Sequence, residues 1–217
     1  MTFSLNSAPR SLVKYNNQSI SAITEVGSGA GVTDDMVLIK ELTASSDATL
    51  SFLDGADDVV FDGTYPVYVF KFINMHAETD VKNFTFQVDT GTNTSYNQTI
   101  TSTVFRAYHT EDDGTTALDY KDQADQEQGT AFQIIADTPK NDNDASTSGT
   151  LTIFSPSNTT FVKHFMATMN VSRASASENY FIAGYVNTTT ALTRVQFKYA
   201  ADNIDAGTIK LYGLKDS

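Results

Sequence analysis

The sequence predicts an all-β protein, a β-sandwich of the jelly-roll type preceded by an N-terminal extended arm. From Met36 onward, apolar and polar residues alternate at period two, which is typical of strands with one buried face. Threonine and serine are abundant, and this favours strands and loops over surface helices. About ten strands separated by turns, without a strand-helix-strand rhythm, indicate two sheets packed face to face.

Residues 1–33 are predicted to be an N-terminal arm with a glycine-rich linker, and residues 34–217 to be the β-sandwich domain. The arm is polar and ends in Gly27-Ser28-Gly29-Ala30-Gly31, a composition typical of flexible linkers. A phosphate-binding loop is disfavoured, because the acidic pair Asp34-Asp35 follows. Since the arm is too short for a core of its own, we expect it to dock on a partner through its apolar residues. These are Leu12, Val13, Tyr15, Ile20 and Ile23.

The first half of the domain shows the alternation most clearly in residues 65–75. There Tyr68, Phe70, Phe72 and Asn74 are expected on one side of the strand, and Pro66 lies near its start, where a missing N–H is tolerated. Asp-Gly pairs at residues 54–55 and 62–63 predict turns before this strand. The strands expected in this half are residues 37–42, 49–53, 65–75, 84–88 and 99–105.

Residues 111–144 interrupt the pattern with ten acidic residues against two lysines, Lys121 and Lys140. Within them we expect a strand at residues 131–135 and one or two helical turns at residues 120–128. The alternation then resumes to the end of the domain. The strands expected there are residues 150–154, 161–170, 180–187, 192–199 and 207–214.

Charge and composition exclude several classes of function. With a net charge of −12 and a pI near 4.4, the chain is not expected to bind nucleic acid, since phosphate contacts need clustered Lys and Arg. It has no cysteine, which excludes disulfides, thiolate metal sites and thiol nucleophiles. No stretch approaches the ~18 apolar residues of a transmembrane helix, so no membrane insertion is expected.

The sequence predicts no catalytic residues, no metal site and no cofactor. The three histidines, His76, His109 and His164, are too widely spaced to suggest a transition-metal site. His109 precedes a run of carboxylates, so it is either an acid or base with a raised pKa or, more simply, a strand-end histidine hydrogen-bonded to loop carboxylates. Calcium is the metal best suited to the loops at residues 111–114 and 141–144, but neither matches the EF-hand spacing, and solvated acidic loops are the simpler interpretation.

Five strings of the sequence are distinctive as residue patterns. They are residues 68–76, 105–113, 154–160, 181–185 and 203–214. These strings resemble, in the same order, those of a family of tailed-bacteriophage virion proteins common in aquatic phages. The resemblance spans roughly residues 37–214, and Lys14-Tyr15-Asn16-Asn17-Gln18-Ser19-Ile20 resembles leaders of such proteins. It implies a structural role on a particle and no catalytic residues.

Two functions are therefore expected, in order of preference. The first is a non-enzymatic head decoration or cement protein on the virion surface, a homotrimer that docks on the major capsid protein or another virion protein by its arm. The alternative is a tail or fibre adhesin whose loops at residues 111–144 face a host-surface glycan. An enzyme such as a depolymerase is a third hypothesis, which requires clustered carboxylates in a cleft.

Overall fold

The computed structural model describes residues 36–173 and 175–215. All of the regular secondary structure in this part of the chain is β-strand, and thirteen strands are present. They are β1 (Met36–Asp47), β2 (Leu50–Leu53), β3 (Val67–Ala77), β4 (Phe84–Thr90), β5 (Ile100–Thr110), β6 (Thr116–Tyr120), β7 (Glu127–Gly129), β8 (Gln133–Ala136), β9 (Thr147–Phe154), β10 (Lys163–Arg173), β11 (Ala176–Val186), β12 (Leu192–Tyr199) and β13 (Ile204–Leu214).

The strands form two antiparallel sheets. The larger has nine strands in the order β1-β13-β3-β9-β10-β11-β5-β6, with β7 also paired to β5, and the smaller has the order β2-β12-β4-β8. Strands β1 to β4 alternate between the sheets, as do β8 with β9 and β12 with β13, so eight strands have jelly-roll connectivity. The prediction of an all-β sandwich is confirmed. The remaining strands, β5 to β7 with β10 and β11, widen one sheet beyond this roll.

The core lies between the sheets and is filled by aromatic rings. Phe197 on β12 is fully buried, and five other phenylalanine rings have centroids 5.1 to 6.4 Å from its own. Two of them belong to β3, so the cluster joins the smaller sheet to the larger one. Burying each side chain of this size contributes about 1.5–3 kcal/mol. The five rings are those of Phe52, Phe70, Phe72, Phe84 and Phe86.

A bulge near the end of β3 breaks the predicted alternation. Phe70 and Phe72 are buried as expected, but Asn74 is exposed with a φ of 50°, and Met75 takes the next buried position. Gly207 lies opposite, with a φ of 122°, and a Cβ there would lie 2.7 Å from the Cα of Met75. Close approach of the two backbones therefore requires glycine at this position.

The acidic segment differs from the expectation in its secondary structure. The helical turns predicted at residues 120–128 are wrong: Thr116–Tyr120 is a strand, a turn follows, and Glu127–Gly129 pairs with β5. Both added strands are short, and tertiary pairing with β5 overrides their weak local preference. Among residues 36–173 and 175–215, no helix has the length and apolar character needed to cross a bilayer.

Candidate functional site

The outer side of the nine-stranded sheet, turned away from the core, exposes many large apolar side chains. Four rows of outward-facing side chains cross this sheet from β1 to β5, starting on β1 at Met36, Leu38, Glu41 and Thr43, and the last two rows continue onto β6. We call these four rows the apolar face. Ten large apolar side chains are exposed in the described residues, and eight of them lie on this face. The eight are Met36, Leu38, Ile73, Phe105, Leu118, Tyr120, Phe154 and Met166.

The rows of the apolar face are continuous across the sheet because the strands are in register, although in the row that starts at Glu41 the apolar side chains lie on β11, β5 and β6. One row crosses eight strands without interruption, so its side chains are neighbours at about 5 Å spacing. Within it, the rings of Phe105 and Phe181 are stacked, with centroids 4.8 Å apart and an interplanar angle of 13°. From β1 to β6 the row consists of Glu41, Lys210, Lys71, Thr150, Thr168, Phe181, Phe105 and Tyr120.

Charge on the apolar face is sparse and mostly compensated. The chain has 26 Asp and Glu residues, and three of them meet this face in the described residues. Glu41 lies in one row, Glu127 on β7 pairs with Thr101 at the end of another, and Asp125 accepts a hydrogen bond from the Tyr120 hydroxyl at 2.5 Å. The Glu41 carboxylate accepts a hydrogen bond from the Lys210 ammonium at 2.9 Å, which raises the pKa of Lys210. The Lys71 ammonium lies 5.5 Å from the centre of the Tyr212 ring, a cation–π contact. Few of the acidic residues of this protein therefore meet the face, and those that do lie at its β1 edge and at its β6–β7 edge.

A shallow groove of about 480 Å³ runs within the apolar face across β9, β10, β11 and β5. Its floor contains the small Ala183, and Phe154, Met166 and Tyr185 line its sides. The ring of His164 meets that of Tyr185 edge-on at 6.2 Å. The groove therefore offers mainly carbon surface with a few polar groups, which suits an apolar side chain or the face of a sugar ring.

A separate charged cluster lies on the inner side of β5, β6, β10 and β11. The guanidinium of Arg106 donates to both carboxylate oxygens of Asp119, at 3.1 and 2.9 Å, and to Oε1 of Glu178 at 3.1 Å. Arg173 donates to the same Oε1 at 3.1 Å, and the hydroxyl of Tyr180 donates to Oε2 at 2.6 Å. Glu178 is thus buried with three hydrogen-bond donors around it.

The electrostatics of this cluster favour a structural role. Burial disfavours the charged form of Arg106, but hydrogen bonds from its guanidinium to Asp119 and attraction to Glu178 outweigh this, so its pKa is raised. Burial, followed by the hydrogen bond to Glu178, raises the pKa of the Tyr180 hydroxyl. Because each charged group of the cluster is paired with one of opposite charge, the cluster stabilises the packing of four strands. It leaves neither a proton donor nor a nucleophile positioned for chemistry.

The three histidines lie in different parts of the fold. His76 lies on β3, where Nδ1 is 3.2 Å from the Asp205 carboxylate. His109 lies near the end of β5, with Nε2 2.9 Å from Asp113, which is the simpler of its two expected roles. His164 borders the groove on the apolar face. The structure does not bring the three side chains together.

The two acidic loops considered for calcium are held by local hydrogen bonds. Asp112 accepts a hydrogen bond from the Gly114 amide at 2.9 Å, and hydrogen bonds from Thr110 and then Gly114 lower its pKa. In the other loop, the Asn141 amide donates to Asp80. Within the part of the chain that the structure describes, no three His, Asp or Glu side chains are grouped to hold a metal ion. The absence of a metal site stays a prediction.

The docking arm predicted from the sequence lies outside the described residues. This applies to all five of its named side chains, Leu12, Val13, Tyr15, Ile20 and Ile23.

Sequence reasoning missed the apolar face, although a signal was present. Adjacent apolar residues within a strand point to opposite sides, so one of the two must face away from the core. Val104-Phe105, Phe165-Met166 and Phe181-Ile182 are such pairs, on three neighbouring strands. The Arg106–Glu178 contact had no comparable signal, because 72 residues separate the partners.

Comparison of the chain with protein families, with curated proteins and with solved structures found no match.

Proposed function

We propose that this chain is a non-enzymatic structural protein of a bacteriophage virion, displayed on the particle surface as a head decoration or cement protein. The observation that carries the proposal is the apolar face, a broad sheet surface whose few carboxylates lie at its edges, in a protein of net charge −12. Exposed apolar patches of this extent mark surfaces that meet another macromolecule. The resemblance of the sequence strings to phage virion proteins supplies the virion context.

The proposed mechanism is burial and multivalent attachment. The arm residues Leu12, Val13, Tyr15, Ile20 and Ile23 pack on the major capsid protein or another virion protein, while the β-sandwich assembles as a trimer. Burying a few hundred Å² of apolar surface per arm contributes several kcal/mol at ~25 cal/mol/Å², before the entropic cost of association. Three arms per trimer raise the avidity further. The acidic remainder of the surface keeps decorated particles soluble and is not attracted to DNA.

No catalytic step is part of this proposal. Glu178 is the most buried carboxylate of the charged cluster, and two arginines and Tyr180 occupy its oxygens. A glycosidase-like pair needs one carboxylic acid free to protonate a leaving group. Release of sugar from a host polysaccharide by the purified chain would contradict the non-enzymatic assignment.

Particle attachment is tested by deleting residues 1–31. We expect the truncated chain to keep the circular dichroism spectrum and thermal midpoint of the full chain and to lose binding to particles that lack the protein. A second variant, with Leu12, Val13 and Tyr15 all changed to serine, keeps the length of the arm and removes most of its apolar contacts. Normal incorporation of both variants, measured by quantitative mass spectrometry of purified particles, would refute docking by the arm.

The adhesin is the second candidate, and the groove on the apolar face favours it. Sugar rings stack on aromatic side chains, and Phe154 and Tyr185 line this groove, with His164 beside them. Copy number separates the two candidates: a decoration protein is present in hundreds of copies per particle, an adhesin in a handful to some dozens. A cryo-EM map of intact particles gives both the location and the number.

A further inference from the structure

We propose that the apolar face is the surface through which this chain binds a second copy of itself. Two nine-stranded sheets would pack with their outer sides together about a twofold axis, as the two sheets of a sandwich do within one chain. This contact is separate from the threefold contacts of the proposed trimer and would join chains of different trimers. The inference does not rest on the virion role, because it concerns the purified chain alone.

Several apolar side chains of the face are largely exposed to water, which is energetically unfavourable. Leu118 is 72% exposed, Met166 is 58% exposed and Leu38 is 49% exposed. They lie on β6, β10 and β1, so they span the sheet from one edge to the other. Their distribution favours an occupant that covers the whole face over a small ligand that fills the groove alone.

The distribution of charged residues on the face favours a second copy of this chain as the partner that covers it. Two chains of net charge −12 repel each other at most orientations, and the repulsion is least where the surfaces that meet lack carboxylates. A basic partner would find Glu41, which Lys210 already engages, and at the opposite edge Glu127 and Asp125, which accepts a hydrogen bond from Tyr120. An acidic partner would find Lys71 as its main attraction. The face therefore suits a partner that is also nearly neutral there, and an identical copy has such a surface.

The area of the face, counted with its polar side chains, approaches that of a standard specific interface. Seven strand spacings of about 4.8 Å by three two-residue steps of about 6.8 Å give a projected area of roughly 700 Å². A standard specific interface buries about 800 Å² per partner. The groove between Phe154 and Tyr185 offers a hollow for an apolar side chain of the second copy, which would add shape complementarity.

Sedimentation velocity of the full chain, from about 1 µM to about 200 µM, tests the proposal over the range of weak to moderate affinities. We expect reversible self-association of the native chain. The variants Met166→Lys and Leu38→Lys place a charge at the middle and at one edge of the face and should each weaken it by at least about 30-fold. Val81→Lys is the matched control, since Val81 is 51% exposed and lies in the β3–β4 connection, outside the face. All three substitutions change the net charge equally.

The self-association of the variants can be compared once circular dichroism and thermal midpoints show that they are folded. Weakening by both face variants but not by Val81→Lys supports the interface. A native chain that stays monomeric over the whole range, association that neither face variant alters, or equal weakening by Val81→Lys would each overturn it. Monomers that bind a polysaccharide on a glycan array, with loss of binding in Met166→Lys, would overturn it in favour of a glycan.

Discussion

Phe197 tests the packing between the two sheets most directly. It has no exposed surface, and five phenylalanine rings from β2, β3 and β4 surround it with centroids within 6.4 Å. Replacing a core phenylalanine by alanine costs about 3–5 kcal/mol, and the cost rises with the cavity that remains. Because the surrounding rings are held by strands of two hydrogen-bonded sheets, the cavity cannot collapse. We expect Phe197→Ala to lose about 4–5 kcal/mol of the free energy of unfolding.

Urea unfolding followed by circular dichroism measures this loss as a lower midpoint at an unchanged slope. Phe161→Ala is the matched control: Phe161 is 68% exposed, so its loss should cost less than about 0.5 kcal/mol. Phe197→Leu keeps most of the volume and should cost no more than about 1.5 kcal/mol, which covers the case in which the alanine variant does not fold. A loss below about 2 kcal/mol in Phe197→Ala would show that the ring cluster does not hold the sheets together.

Two further predictions concern charge. Glu178→Gln removes the buried carboxylate shared by Arg106 and Arg173 and should lower the free energy of unfolding, measured in urea, by about 3 kcal/mol. Asp119→Asn changes a more exposed partner of Arg106 and should lower it by at most about 1 kcal/mol. Equal costs would contradict the role assigned to burial. Lowering the pH should destabilise the fold below about pH 4, because hydrogen bonds hold the pKa of several aspartates below the value in the unfolded chain. In that range the folded state binds fewer protons than the unfolded state, so the stabilisation by these aspartates is present above about pH 4 and is lost as the pH falls. Urea midpoints that stay constant from about pH 6 to about pH 2.5 would refute this. The aspartates, with their main hydrogen-bond donors, are Asp62 (Thr64), Asp80 (Asn141), Asp112 (Thr110) and Asp119 (Arg106).

The fold class could be predicted because alternation is a local property of the chain. On β10, every second side chain from Lys163 to Val171 is buried, as the period-two pattern requires. The prediction was wrong where pairing with a distant strand decides the conformation. Residues 120–128 have no strong strand pattern, and Glu127–Gly129 becomes a strand because β5 presents free backbone groups beside it. The register change at Asn74 likewise depends on Gly207, which belongs to the last strand of the chain.

The candidate site was less accessible from the sequence than the fold. The arm could be proposed from composition alone, and its apolar residues stay a prediction. The apolar face depends on the order of β9, β10, β11 and β5 within one sheet, which alternation does not specify. Phe105 and Phe181 become neighbours only because β5 and β11, two strands distant in sequence, are paired.

The sequence by itself determined that this chain forms strands with one side rich in aromatic residues, that its net charge is strongly negative and that it lacks thiol chemistry. Which strands pair, how far one sheet extends beyond the eight-stranded roll, and which apolar side chains remain in solvent were decided only by the tertiary structure. The physical reason is that each strand carries two faces and two edges, and local sequence encodes the contrast between the faces. The partner at each edge is selected by the burial and hydrogen bonding of the whole chain, and so is the surface left for a second molecule.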